Sequence, residues 1–170
     1  MRYDNTTVRR QDRLLDEKRA LELLSEGEYG VLSMASVDGG YGVPVNYAVE
    51  GDTIYLHCAL EGRKLRAIEN DARVSFCVVG RKRIVPEEFT TEFESVIATG
   101  CARLVVQDEE RRRALRLIVE KYDADTPGCL YRFPKTGHQP APPRFLPGNS
   151  AGVPFRIDSQ RAVRSAKSSR

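Results

Sequence analysis

The sequence predicts a mainly β domain with peripheral helices, its antiparallel sheet curled into a barrel. Short runs rich in β-branched and aromatic residues recur at hairpin spacing, separated by Gly- and Asp-containing turns. Apolar stretches with helical period are few and short. The longest strand-like run carries Gly100 in its interior, where a sheet that bends or bulges needs a residue without a side chain.

Taken in order, Asp16–Ser25 reads as a short helix. Asp16 caps it, Ala20, Leu21, Leu23 and Leu24 form its apolar side, and Gly27 follows its end. It is placed as a lid on one end of the barrel. Strands follow at Tyr29–Ser36, Tyr41–Val49, Thr53–Cys58 and Arg73–Gly80. The turns Asp38-Gly39-Gly40 and Glu50-Gly51-Asp52 join the first three, so an antiparallel meander is expected. Glu61–Asn70, with Leu65 and Ile68 on one face, is a short crossing helix. A long strand spans Thr91–Val106, and Asp108 caps a helix bearing Leu115, Ile118, Val119 and Tyr122. The proline-rich stretch 125–152 breaks every regular pattern. A last strand runs Val153–Val163, and 164–170 is a basic tail.

One domain over 1–170 accommodates this, because 170 residues with 41% hydrophobic content can bury one core. A net charge of +3 at 30% charged residues gives no global reason for a nucleic-acid partner, and no helix-turn-helix pattern is present. The charged N-terminal stretch has no apolar run fit for a signal peptide or membrane span, so a cytoplasmic location is expected. The four cysteines, Cys58, Cys77, Cys101 and Cys129, lack CxxC spacing, and no metal site is expected. Three of them sit in strand-like runs and read as small core residues.

The most informative stretch runs from Asp52 to Lys64. Alternation turns Ile54, Leu56 and Cys58 toward the core and sends Tyr55 and His57 to the other face, so that His57 points toward a partner or ligand. Gly62, Arg63 and Lys64 then open the crossing helix. Free backbone N–H groups, the positive end of the helix dipole and two cationic side chains converge there, which suits a phosphate. The GxxxxGK spacing of a Walker loop is absent. The same residues also describe an ordinary solvated helix start.

Two further stretches matter. Pro44 lies inside the run Gly42–Tyr47, and proline in a strand leaves the backbone partly unpaired. That backbone, with Asn46, is either offered to the polar edge of a flat ligand or is an edge kink in which Asn46 serves the strand. Along Phe89–Gly100, Thr91, Phe93 and Ser95 share one face of mixed polarity, which fits a subunit interface lining a ligand or a half-exposed strand.

In sequence order, VPVNY (43–47), IYLHCALEGRK (54–64), the Arg73–Val79 strand and FESVIATGCARL (93–104) resemble the pyridoxamine 5′-phosphate oxidase-like split-barrel superfamily, and within it the nitroimidazole-resistance subgroup. The resemblance covers about Leu14 to Tyr122. It implies a six-stranded antiparallel split barrel, a homodimer, and flavin mononucleotide (FMN) in two symmetric interface sites. Carried over, Arg63 and Lys64 contact the phosphate, and His57, Cys58 and Ala59 line the same wall. Val43, Pro44, Val45 and Asn46 lie beside the isoalloxazine, and Thr91, Phe93 and Ser95 approach from the other subunit. The chain departs from its relatives in the amount of proline after the last helix, and the superfamily also holds members that bind haem, deazaflavin or no evident cofactor.

The function expected is an FMN-dependent oxidoreductase that reduces a small electron-poor compound such as a nitroaromatic or nitroimidazole. The alternative is a non-catalytic flavin- or haem-binding module in the same cleft. His57, with an ordinary pKa of about 6.5, is the candidate proton donor or else a ligand anchor, the matching histidine of the subgroup being the position associated with bound ligand.

Overall fold

The computed structural model describes residues 1, 3–6, 8–59, 61–122 and 153–167, with side chains left out at Val153 and 159–167. The proline-rich stretch 125–152 lies outside the described residues. Helix α1 (Glu17–Glu26) starts where Asp16 accepts a hydrogen bond from the Arg19 N–H at 2.8 Å, and it ends where the Gly27 N–H donates to Leu23 O. Its Ala20, Leu23 and Leu24 enter the core, as expected of a lid.

Seven strands follow in chain order: β1 (Gly30–Ser36), β2 (Gly39–Val45), β3 (Tyr47–Glu50), β4 (Thr53–Cys58), β5 (Arg73–Val85), β6 (Thr90–Leu104) and β7 (Val153–Lys167). They form one antiparallel sheet in the order β2-β1-β5-β6-β7-β4-β3. Helix α2 (Arg63–Asn70) connects β4 to β5, and helix α3 (Asp108–Tyr122) follows β6.

The two edge strands, β2 and β3, are separated in sequence by Asn46 alone. What the sequence presents as one strand, 41–49, is therefore a single run that leaves one edge of the sheet and rejoins it at the other. Counted as one, it gives the six strands of the split barrel. The rolling is visible in contacts: Tyr47, on edge strand β3, packs its ring edge-on against Phe76 of β5 at 4.8 Å. One core cluster contains buried residues of α1, α2 and all the strands except β2, whose Tyr41, Val43 and Val45 pack against it.

Several expectations are corrected. The meander ends at β4, because β5 pairs with β1 and β4 pairs with β7. This swap is what a closing sheet requires. Asp108 is the first residue of α3 rather than its cap, and the N–H of Arg111 reaches Gln107 O instead. β5 continues five residues past Gly80, to Val85. β7 runs to Lys167, so the first residues of the basic tail are strand backbone.

Tyr55, on the outer face of β4 as alternation predicts, is nonetheless buried. The outer surface of β4 is covered by α3, and Tyr55, Val105 and Ala114 form a second buried cluster with Leu117 against it. The Tyr55 hydroxyl donates to Glu110 at 3.2 Å, and Glu110 also accepts from Arg156 at 2.8 Å. Alternation identified the face correctly but not the helix that would cover it.

Gly100 sits where the β6–β7 register shifts. A Cβ there would stand 2.3 Å from the carbonyl oxygen of Asp158, a backbone atom that cannot move aside alone. Gly100→Ala is expected to destabilise the protein by about 1–3 kcal/mol in urea titration, as overpacking does. Gly40→Ala, with nothing within 4 Å of the added atom, should stay within about 0.5 kcal/mol of the parent.

Candidate functional site

The site grows from the way β4 hands the chain to α2. β4 ends at Cys58, which is buried, and Gly62 stands before α2 with φ +129, a conformation that favours glycine. No side chain caps α2, and its first turn holds Arg63 and Lys64 with no acid. The free N–H groups and both cations therefore remain at one helix start.

The two cations part company from there. Arg63 reaches back to the β1–β2 hairpin, its guanidinium 4.6 Å from the Tyr41 ring centroid, 3.2 Å from the Ser36 hydroxyl and 3.6 Å from Asp38. It ties the hairpin to the cationic turn. Lys64 is half-buried, and its charge acts on Cys58, whose thiol pKa is nonetheless pushed up because burial outweighs it. Burial thus favours the protonated form of the Cys58 thiol.

Strand β2 comes to the same place. The β3–β4 ladder ends at the pair Tyr47–Leu56, so Asn46 and His57 are the next residues on the two chains. His57 is half-buried; Pro44, Asn46 and Ala59 are exposed. Val43 and Val45 turn their side chains against the core. Among the described residues β2 has β1 as its one strand neighbour, and its second backbone edge, on which Pro44 lies, pairs with no described strand. Asn46 thus lies next to His57, and Arg63 reaches Tyr41 of the same strand β2, with Pro44, Asn46 and Ala59 exposed and Val43, Val45 and Cys58 turned to the core.

Thr91, Phe93 and Ser95 are elsewhere. They pair with Ile84, Lys82 and Val79. Cys58 is instead level, through Val153 and Phe155 of β7, with the Leu104 end of β6. Nine residues of strand separate Ser95 from Leu104, about 30 Å of chain. Within one protomer these three residues do not join the others.

Sequence reasoning missed a group at the back of the bend. The Tyr47 hydroxyl donates to Leu24 O at 2.6 Å. Its N–H donates to the Tyr122 hydroxyl at 3.0 Å, and that hydroxyl donates to Glu28 O at 2.6 Å. The ammonium of Lys121 lies 3.7 Å from the Tyr47 ring centroid, buried and without a hydrogen-bond partner among the described residues. The signal was present: Ala114, Leu117 and Lys121 follow one another at helical spacing on the packed face of α3.

The sequence profile of the pyridoxamine 5′-phosphate oxidase family matches residues 16–138. The chain belongs to this family. No curated protein matches. Solved structures share the split-barrel fold of this pyridoxamine 5′-phosphate oxidase family member at low identity. A protein of Bacteroides thetaiotaomicron assigned to 5-nitroimidazole antibiotic resistance is 19% identical, with TM-score 0.66, over 91% of this chain and 86% of its own. An FAD-binding protein of Mesorhizobium loti is 21% identical, with TM-score 0.63, over 92% of this chain and 98% of its own. The FAD and heme binding protein of Mycobacterium smegmatis is 13% identical, with TM-score 0.67, over 91% of this chain and 72% of its own. No described helix of this family member is long and apolar enough to cross a membrane.

Burial lowers the pKa of Lys121 to about 8. The unfolded chain holds this proton up to the ordinary value near 10.4. Between those values the unfolded state binds more protons, so stability rises with pH. Above about pH 10 the tyrosines reverse the trend, since burial raises the pKa of Tyr47, Tyr55 and Tyr122 in the fold. The urea midpoint is expected to climb from about pH 8 to about pH 10 in the parent. In Lys121→Met it should be higher at pH 7 and flat over that window.

Proposed function

We propose that this protein is an FMN-dependent oxidoreductase, working as a homodimer, that reduces a small electron-poor compound such as a nitroaromatic or nitroimidazole. The observation that carries this reading is the uncapped cationic start of α2 lying beside the open backbone edge of β2. One feature fits a phosphate and the other fits the polar rim of a flat ring system.

The residues present fit that group. Lys64 and the first N–H groups of α2 hold the phosphate, and Arg63 approaches it from the hairpin side, where Tyr41 and Ser36 fix its direction. The peptide groups of Val43, Pro44 and Val45 and the side chain of Asn46 meet the ring, while His57, Cys58 and Ala59 form the wall. Thr91, Phe93 and Ser95 come from the second protomer. When bound, the flavin supplies hydride and electron transfer to the substrate. The chain's part is to orient it, to keep water from the buried wall at Cys58, and to place donors where negative charge gathers on the ring. His57 either donates a proton to the reduced substrate or anchors it.

A non-catalytic binding module is the second reading. It is supported by the FAD and heme binding protein that shares the fold, since one fold serves unrelated functions. Turnover of reduced nicotinamide with a nitro compound by flavin-loaded protein separates the two. Oxidation above that given by free flavin is expected. Its absence, with flavin bound, favours the module.

The phosphate assignment has its own test. Arg63→Ala combined with Lys64→Ala is expected to weaken FMN binding by about 10–100-fold, the loss of one or two charge-assisted contacts. Riboflavin, which lacks the phosphate, should lose less than about threefold. Fluorescence titration of the apoprotein reads both, and equal losses would place the phosphate elsewhere.

A further inference from the structure

The join between the two sheet edges and the proposed ring end of the site meet at Asn46, and a side chain that belongs to neither the ring nor the phosphate residues reaches it. β2 ends at Val45, which pairs with Gly30, the first residue of β1. β3 begins at Tyr47 as the last strand of the sheet. The direction of the Asn46 side chain, and of the β2 peptides before it, therefore depends on the angle at which the chain passes from one edge to the other.

Tyr122, at the end of α3, spans that angle. Its hydroxyl accepts a hydrogen bond from the Tyr47 N–H at 3.0 Å and stands 3.0 Å from the carbonyl oxygen of the same residue, so both backbone polar groups of Tyr47 meet this oxygen in place of another strand. The hydroxyl donates its proton to Glu28 O at 2.6 Å. Glu28 lies two residues ahead of Gly30, on the β1–β2 side of the bend. One oxygen thus ties the two sides of the join together. The helix turn that carries it is itself seated on the same residue, with the Lys121 ammonium 3.7 Å from the Tyr47 ring centroid.

Tyr122 is 37% exposed, so water reaches it and can take up the contacts of a deleted hydroxyl. Loss of the oxygen should therefore spare the fold and free the angle. A polar group fixed in advance where charge develops is worth more than one that must move to it, so a reduced, more negative ring should depend on a fixed bend more than an oxidised ring does.

We propose that Tyr122 is a positioning residue for the flavin ring: by tying Tyr47 to Glu28 across the join, its hydroxyl sets the Asn46 side chain and the β2 backbone edge for the polar rim of the ring. This rests on the FMN reading given above. It adds a residue that touches neither ring nor phosphate and that acts on the ring end alone.

Tyr122→Phe keeps the aromatic ring and deletes the oxygen. Fluorescence titration of the apoprotein is expected to show FMN and riboflavin weakened alike, by about five- to tenfold, the loss of one hydrogen bond. Reduced FMN should lose about tenfold more than oxidised FMN, which lowers the two-electron midpoint potential of the bound flavin by about 30 mV. Tyr55→Phe deletes the other hydroxyl tied to α3, the one on Glu110, and should leave both affinities and the potential unchanged. The parent gives a reading that needs no variant: saturating riboflavin, like FMN, should slow hydrogen exchange at the Tyr47 amide, since the ring binds only the closed bend. Unchanged affinities in folded Tyr122→Phe, a loss confined to FMN, an equal loss in Tyr55→Phe, or a Tyr47 amide indifferent to bound flavin overturns the positioning role and leaves the flavin reading standing. A parent that binds neither FMN nor riboflavin overturns both.

Discussion

Tyr47 is the clasp on which this fold depends. A sheet that rolls up must have its edges joined, and here the joint is one covalent run that turns at Asn46 from β2 into β3. Nothing in a one-residue bend holds its own angle. Tyr47 supplies the hold through its hydroxyl on Leu24 and its ring on Phe76, all three fully out of water, and through its N–H on the more exposed Tyr122. Buried hydrogen bonds of this kind cost little when made and much when left unmade, so they select one geometry of the bend. The ammonium of Lys121 over the same ring, without a hydrogen-bond partner among the described residues, is a charge the fold tolerates at that point rather than gains from.

The clasp also makes the site. Because the edges meet at Asn46, the open side of β2 lands next to the end of β4 and the start of α2. The split in the barrel and the cationic turn are therefore neighbours by construction. Arg63 fixes the remaining freedom by gripping Tyr41 and Ser36 on the hairpin across from it. On the reading proposed above this cleft is half a site, because Thr91 to Ser95 lie about a strand's length away in the same chain.

Much of this was legible in the residues. β4 ends where alternation and Gly62 say it must, α1 has the cap that Asp16 announces, and Gly100 marks the register shift. What was hidden were the pairings between distant segments. Periodicity tells which face of β4 Tyr55 takes, but not that α3 will cover it. It shows a strand at 41–49 without showing that Asn46 breaks it, since that break is dictated by closure of the sheet and not by local preference. The reach of Arg63 to Tyr41 is likewise a fact of tertiary distance.

Family membership and fold bring a flavin-binding architecture within reach, while the particular ligand and its chemistry rest on this chain's own cleft. The decisive measurement is sedimentation velocity of flavin-loaded protein followed at the visible absorption of the bound FMN. The ligand is expected to travel with a particle of two chains, one flavin to each. Colour that sediments with a single chain, or that stays behind with the small molecules, would contradict a site built across two protomers.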